Sequence, residues 1–404
     1  MTNAKKIEQA RFATQFVHAG ERKDPPIGRP VATPIYATSA YTYDSMEVVD
    51  KVFSGEAGDF VYTRYGNPTV AAFEAAMATL EGGTVACAYS SGMAALHGAL
   101  FACELAPGAV VLASQDLYGA TFDLLYKVFG AAGIKTVIAN FDDLDAVRAK
   151  ALEVRPAAIL IETISNPLLK VCDIAAVATI AREVGARVVV DNTFASPFLC
   201  QPLALGADFS VHSATKYLGG HADAMGGVVI ARQDIDRLAL VSIMKLAGGV
   251  LSVWEAHQIS RGIKTLGLRM ERQCDNARRI AEHFKNDPRL SRVHYPSLSK
   301  AAASGLMGRV LRAPYAGALV TFELQDNTKE AAFRFMNALQ LCVRLTSLGD
   351  VFTGVSHAAS SSHREVSPAQ RRRLGITDGL VRVSTGIEDV SDIIEDIDQA
   401  LGTA

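Results

Sequence analysis

Asp208-Phe-Ser-Val-His-Ser-Ala-Thr-Lys-Tyr217 runs into Leu218-Gly-Gly-His-Ala-Asp-Ala-Met-Gly-Gly227 and then into the apolar, strand-like Val228-Val-Ile-Ala231. One lysine, Lys216, sits here among small hydroxylated residues. Its nearest acidic neighbours along the chain are Asp208 and Asp223. Surface lysines ordinarily lie in a mixed charged face, so the setting is unusual. Ser213 and Thr215 place hydroxyls beside the amine, as a phosphate group requires. Alone, the stretch reads better as a solvated loop lysine between two strands. Its place in the chain changes that reading.

Upstream, short apolar runs alternate with helical patterns. Thr84–Tyr89, Ala109–Ala113, Lys135–Ala139, Ala157–Ile161 and Arg187–Asp191 read as buried strands. Helical patterns fall after Ser91, from about Gly119, and over 143–153 and 174–184. Asn67 caps a further helix with Pro68 in its first turn, and Gly82-Gly83 ends it. Continuously apolar strands separated by helices predict an α/β fold, a mostly parallel sheet with helices on both faces. Residues 1–60 show little periodicity. Asp24-Pro-Pro-Ile-Gly-Arg-Pro30 and Ala32-Thr-Pro34 signal turns or extended chain, so this arm is expected to drape over another subunit. The expected division is an arm over 1–60, a large domain over 61–255, and a long connecting helix with a smaller α+β domain over 256–404. One helix over 250–285 is expected, then strands near 316–323, 343–346 and 379–383 and helices near 328–339 and 389–402. Ser356–Arg364 reads as a polar loop.

Composition narrows the function. The 404 residues carry a net charge of −2 and are 49% hydrophobic, which favours neither nucleic acid nor a membrane surface as partner. No apolar run reaches the roughly 18 residues that span a bilayer. The polar start Met-Thr-Asn-Ala-Lys-Lys-Ile-Glu-Gln has no signal-peptide core, so a cytoplasmic protein is expected. Six scattered cysteines without C-x-x-C spacing predict reduced buried thiols and no metal site.

In an open parallel sheet, ligands bind at the carboxyl ends of the strands. Three polar groups fall there. Ser90-Ser-Gly-Met93 is a strand-to-helix turn whose small residues let backbone N–H groups approach a phosphate; a tight turn needing Gly92 explains it equally. Asp191 follows three valines, where a carboxylate needs a partner; a turn or capping aspartate is the plainer reading. Asn166, in Glu162-Thr-Ile-Ser-Asn-Pro167, could donate to a phenolate oxygen or simply make an Asn-Pro turn. Each is weak singly. Together with Ser-x-Thr-Lys they supply a phosphate cup, an acid for a pyridine nitrogen and a Schiff-base lysine. That is the set a pyridoxal 5′-phosphate (PLP) site requires.

The chain resembles the fold-type I PLP enzymes of Cys/Met metabolism, the trans-sulfuration family. The resemblance rests on Val17-His-Ala-Gly, Pro34-Ile-Tyr-Ala-Thr-Ser, Tyr62-Thr-Arg-Tyr-Gly-Asn-Pro-Thr, Ser90-Ser-Gly-Met, Leu117-Tyr-Gly-Ala-Thr-Phe, Asp191-Asn-Thr-Phe and Ser213-Ala-Thr-Lys-Tyr. It continues in Arg261-Gly-Ile-Lys-Thr-Leu-Gly-Leu-Arg-Met and Val381-Arg-Val-Ser-Thr-Gly-Ile-Glu-Asp. These motifs run in order over nearly the whole chain. The resemblance implies a seven-stranded type of sheet and a smaller C-terminal α+β domain. It implies that Lys216 forms the Schiff base, that Gly92, Met93, Ser213 and Thr215 hold the phosphate, and that Asp191 pairs with the ring nitrogen. Tyr118 would stack on the ring and join catalysis, and Asn166 would lie near the phenolic oxygen. Ser347 and Arg382 would bind the substrate carboxylate. Tyr62 and Arg64 would reach the phosphate of a neighbouring subunit, implying a homotetramer built as a dimer of dimers with shared sites.

Members act at the γ-carbon of sulfur or O-acyl-homoserine amino acids, by elimination or by replacement. Leu117-Tyr-Gly and Ser347-Leu-Gly-Asp350 resemble the γ-lyases. Ala120 and Met244-Lys245 depart from methionine γ-lyases, which carry Cys and a Lys-Asp pair there. Asp350 and Phe352 depart from the Ser-Leu-Gly-Gly-x-Glu of cystathionine enzymes. His357-Ala-Ala replaces the family's usual His-Pro-Ala, and Ser362-His-Arg-Glu-Val-Ser-Pro368 resembles the O-succinylhomoserine sulfhydrylases. The favoured expectation is a methionine γ-lyase type of C–S lyase. O-acyl-homoserine sulfhydrylase comes next, then a cystathionine enzyme. Tyr118, Ala120, Met244 and Phe352 are expected to read the distal end of the substrate.

Overall fold

The computed structural model describes Arg11, residues 28–364 and residues 366–403. The Val17-His-Ala-Gly motif and the start of the Asp24–Pro30 turn lie outside the described residues. The chain divides into two units, Met1–Thr69 and Val70–Ala404.

In the first unit, helix α1 (Met46–Phe53) begins at Ser45, whose hydroxyl accepts the Val48 amide. Glu47 opens it and Lys51 closes it, both favourable to the helix dipole. The weak periodicity expected for residues 1–60 overlooks this helix, although its cap and charges are local signals. A single bridge pairs Ala40 with Tyr62. Helix α2 (Pro68–Glu81) starts where Asn67 Oδ1 accepts the Thr69 amide at 2.9 Å, as its sequence predicts.

The second unit holds two sheets. The larger contains β1 (Val85–Tyr89), β2 (Val110–Ser114), β3 (Lys135–Ala139), β4 (Ala158–Glu162), β5 (Arg187–Asp191), β6 (Phe209–Ser213) and β7 (Gly227–Ala231). Their order is β1-β7-β6-β5-β4-β2-β3. Only β7 runs against its neighbours β1 and β6; the pairings β2–β3, β2–β4, β4–β5 and β5–β6 are parallel. Every residue of β4 and β7 is buried, as central strands covered on both faces must be. Helix α3 (Gly92–Phe101) packs on β6 and β7, and α4 (Gly119–Asp123) continues into a π-helical turn over Leu124–Phe129. α5 (Leu144–Val154) and α6 (Ile174–Val184) each begin at an aspartate cap, Asp143 and Asp173. α6 buries Ile174, Val177, Ala178 and Ala181, an i, i+3, i+4, i+7 stripe.

After α7 (Arg237–Ala247) the chain forms α8 (Val253–Ile263) and α9 (Leu266–Phe284). One helix over 250–285 was expected, and the break at Lys264-Thr265 corrects that. The break is held by Arg269, which donates to Gly262 O and Thr265 Oγ1 and across to Tyr217 O. Gly262 O also accepts the Thr265 amide, which tightens the last turn of α8, while the Arg269 bond to Tyr217 O ties the break to the lysine loop.

The second sheet contains β8 (Leu290–His294), β9 (Leu319–Leu324), β10 (Val343–Arg344), β11 (Gly354–His357) and β12 (Leu380–Ser384), in the order β10-β11-β12-β9-β8. α10 (Lys329–Ala338) and α11 (Val390–Leu401) cover it, sharing a core with Phe284, Phe322 and Phe335. Two of its strands, β8 and β11, differ from the sequence reading. Ser356 and His357 look like loop residues, yet they pair with Arg382 and Val381 of β12 and are buried.

Candidate active site

Strands β4, β5 and β6 are adjacent, so their carboxyl ends bring Glu162, Asp191 and Ser213 to one edge. A cavity of about 460 Å³ opens there. It is bordered by Gly92, Met93, Tyr118, Asn166, Asp191, Ser213, Thr215, Lys216 and Arg382. Residues up to 290 apart in sequence thus converge as the motif order implied.

Lys216 follows β6 in a tight turn, its amide donating to Ser213 O at 3.2 Å. Its Nζ donates to Ser347 Oγ at 2.9 Å. Burial, and then the nearby Arg382 guanidinium, push the amine below its ordinary pKa; Asp350 opposes them. A buried lysine so placed is predisposed to the unprotonated, nucleophilic form. The 347–351 segment straddles the lysine turn. Gly349 has φ +84°, and a Cβ there would lie 2.7 Å from Tyr217 N, so only glycine fits.

The residues expected to hold a phosphate are equally close-packed. Ser91 caps α3 by accepting the Ala94 amide at 3.1 Å, which leaves the first-turn N–H groups of Gly92 and Met93 at the cavity edge. A Cβ on Gly92 would sit 2.7 Å from Ser213 Cβ. Thr215 Oγ1 accepts the Gly226 amide at 3.1 Å, and Thr193 Oγ1 accepts the Ser213 amide at 2.8 Å.

Asp191 ends β5, and its Oδ1 accepts the Thr193 amide at 2.9 Å. Burial raises its pKa; the Thr193 hydrogen bonds and His212 hold the rise back. Arg382 is buried in β12. Its Nη1 donates to Asn166 Oδ1 at 2.8 Å and its Nη2 to Ser347 O at 3.3 Å, while its Nε has no hydrogen-bond partner. Burial lowers its pKa to about 10. Asn166 therefore orients the arginine, a link its Asn-Pro context does not reveal.

Glu162, at the carboxyl end of β4, is a further site residue that the motifs alone do not assign. It borders the cavity, and its Oε1 accepts the Tyr118 amide at 2.6 Å. Its signal was a charged residue closing a wholly apolar strand. The distal-end expectation needs correction as well. Tyr118 borders the cavity, but Ala120, Met244 and Phe352 do not; Met225, Phe194, Leu348 and Ser362 do. Met244 packs in the apolar core beneath α3 instead, and Phe352 lies at a turn against Gly386. Tyr62 and Arg64 belong to the Met1–Thr69 unit, where the Arg64 guanidinium lies 5.6 Å from the Tyr62 ring and 4.8 Å from the Tyr65 ring. Among the described residues no group of His, Cys, Asp and Glu is placed to hold a metal ion.

These residues fit PLP. The first-turn amides with Ser213 and Thr215 suit a phosphate, and Gly92 lets them close up, since a Cβ there would collide with Ser213. Asp191 supplies a half-buried carboxylate for a cationic ring nitrogen. Lys216 supplies the amine.

The sequence model of the family described as "Cys/Met metabolism PLP-dependent enzyme" matches residues 13–402. An L-methionine gamma-lyase of Pseudomonas putida is 42% identical over 392 residues, 96% of this chain and 97% of that protein. A cystathionine gamma-synthase of Mycobacterium bovis is 40% identical over 390 residues, 96% of each chain. The solved cystathionine gamma synthase of Xanthomonas oryzae pv. oryzae superposes with a TM-score of 0.86 at 34% identity, covering 92% of this chain and 93% of that one. With the cavity, the lysine and the two strand-end acids placed as described, the chain belongs to the PLP-dependent enzymes of Cys/Met metabolism.

Proposed function

We propose that this PLP-dependent enzyme cleaves the Cγ–S bond of methionine-like amino acids, giving 2-oxobutanoate, ammonia and a thiol. The observation that carries the reading is the cavity's charge inventory. Among the described lining residues only Glu162, Asp191, Lys216 and Arg382 are ionisable to full charge. Arg382 suits the single α-carboxylate of the substrate. Among the described residues lining this chain's cavity Lys216 and Arg382 are the only cations, so the second carboxylate of cystathionine finds no counter-ion of its own here, and an unpaired buried ion costs several kcal/mol, on the order of its desolvation penalty. Met225, Phe194 and Leu348 suit an uncharged thioether.

PLP, when bound, supplies the electron sink for charge developed at Cα and Cβ. Arg382, fixed by Asn166, grips the carboxylate and sets the face presented to Lys216. The Lys216 amine takes the α-proton and carries it onward, aided by its lowered basicity and by Ser347, which steadies Nζ. The Tyr118 hydroxyl gives a proton to the departing thiolate. Gly92, Met93, Ser213 and Thr215 hold the phosphate, and Tyr62 and Arg64 complete it from a neighbouring protomer of a homotetramer. We divide the chain as arm 1–60, large domain 61–255 and small domain 256–404, and place it in the cytoplasm, supported by six free cysteines. No described helix is long and apolar enough to cross a membrane.

The test is product analysis with methionine, cystathionine, O-acetylhomoserine and O-succinylhomoserine, each with and without sulfide. Methionine should give 2-oxobutanoate and methanethiol. Thioether synthesis from an O-acylhomoserine with little methionine cleavage selects the sulfhydrylase instead.

A further inference from the structure

Glu162 is a buried carboxyl that the reaction above does not use, yet it holds the backbone of a residue that the reaction does use. It ends β4, an interior strand of the large sheet, and the pairing with β5 continues as far as this residue. Its neighbour Thr163 donates its amide to Asp191 O at 3.1 Å, so the strand end is fixed. From that base, Glu162 Oε1 accepts the Tyr118 amide at 2.6 Å.

The loop after β11 reaches the same turn. A Cβ on Gly119 would lie 2.1 Å from the Ser362 carbonyl oxygen. The His363 ring donates to the Leu117 carbonyl, and its Nδ1 lies 2.9 Å from Ser362 Oγ. Leu117 and His363 are both buried. Leu117, Tyr118 and Gly119 are thus each tied to a distant part of the chain through their backbone. The Tyr118 ring is the looser part, 38% exposed at the cavity border. A ring so exposed has few neighbours to aim it, so the backbone beneath sets where its hydroxyl lies.

We propose that Glu162 is a positioning residue for departure of the thiol: by holding the Tyr118 amide, it keeps the Tyr118 hydroxyl where the leaving sulfur takes up its proton. The inference rests on the proposed role of Tyr118 as that donor. In the step, the Cγ–S bond breaks and its electron pair leaves with sulfur. The Tyr118 O–H bond breaks, an S–H bond forms, and the phenolate recovers a proton from water. Assistance by an acid matters in proportion to the basicity of the leaving group. Methanethiolate is a strong base and needs the proton. Acetate, leaving from O-acetylhomoserine, is a weak base and departs without it. A misplaced Tyr118 therefore slows the two eliminations unequally, whereas a loosened fold slows them together.

The experiment measures 2-oxobutanoate formed by the full-length holoenzyme from methionine and from O-acetylhomoserine, without sulfide. It reads the ratio of the two kcat/KM values. Glu162→Leu removes the acceptor and should lower the methionine to O-acetylhomoserine ratio by roughly 10- to 100-fold. Glu162→Gln keeps an acceptor oxygen and should restore most of the ratio. If Glu162→Leu does not fold, Glu162→Asp takes its place, since its shorter side chain draws the oxygen beyond hydrogen-bond distance of the Tyr118 amide. A ratio within about twofold of wild type in the variant that folds overturns the proposal, as does a loss that Glu162→Gln shares in full. Tyr118→Phe separates the two readings. If it leaves the ratio unchanged, Tyr118 is not the donor, and the inference falls with that role. If it lowers the ratio while the Glu162 variants do not, Glu162 alone is removed. Wild type that forms no 2-oxobutanoate from methionine removes the lyase reading first, and this inference with it.

Discussion

Gly92→Ala tests the phosphate cup with a single methyl group. The added Cβ would meet Ser213 Cβ at 2.7 Å, Ser213 Cα at 2.9 Å and Ser213 Oγ at 3.0 Å, against an ordinary contact of 3.4 Å. The start of α3 must therefore move away from β6 by about 0.7 Å, because neither neighbour is the loose end of a flexible chain. Gly227, the register partner of Ser213, packs against the Ser91 carbonyl from the same sheet, so the helix start meets both strands there. A shift of that size stretches a hydrogen bond of about 2.9 Å to about 3.6 Å, beyond bonding geometry. A bound phosphate spans both walls, so it loses at least one charge-assisted bond, about 1.5–3 kcal/mol. That converts to a roughly 10- to 150-fold weaker PLP dissociation constant. The assay is a titration of cofactor-free chain with PLP, followed by absorbance, beside a thermal melt of the same chain without cofactor. A folded variant that binds PLP within about twofold of wild type would refute the assignment of the cup.

Lys216→Ala should abolish turnover and leave the cofactor-free fold intact, because the removed Nζ has one hydrogen bond, to Ser347. Borohydride reduction of wild type and peptide mapping should label Lys216; a label on any other lysine sinks the assignment. Arg382→Lys keeps the charge but cannot hold Asn166, Ser347 and a carboxylate at once. It should lower kcat/KM by roughly 10- to 100-fold with PLP affinity unchanged; a loss confined to PLP binding would move Arg382 out of the substrate site. Replacing Glu162 by Gln should also change how the cofactor-free chain responds to pH. The folded-state pKa of Glu162 is raised, so wild type should lose stability as pH climbs from 4.5 toward that raised value, by about 1.4 kcal/mol per pH unit within the window. Denaturant melts across pH should show a shallower fall for the variant. Mixed oligomers of inactive Arg64→Ala and inactive Lys216→Ala protomers should regain activity, since each hybrid contains one site with both residues intact. Hybrids that form and stay inactive would confine Arg64 to its own subunit.

Much of this protein was legible in its sequence because the relevant signals are local. The apolar runs of β1 to β5 and the caps at Asn67, Ser91, Asp143 and Asp173 need only neighbouring residues to be read. The motif order from Ser90 to Arg382 carried the cofactor and the family, because strand ends in a parallel sheet meet at one edge whatever the loops between them do. Other features depended on contacts between distant residues. Strand β11 is a strand only because β12 pairs with it, and the break between α8 and α9 is held by an arginine that reaches Tyr217 of the lysine loop. Ala120, Met244 and Phe352 are expected to read the distal end of the substrate, yet the cavity is bordered instead by Met225, Phe194 and Leu348, and Met244 packs in the apolar core. Glu162 shows the difference most directly. Its sequence neighbours make it the acidic end of a strand. Only the register that sets it beside Asp191, and its own burial, push its carboxyl well above the usual range.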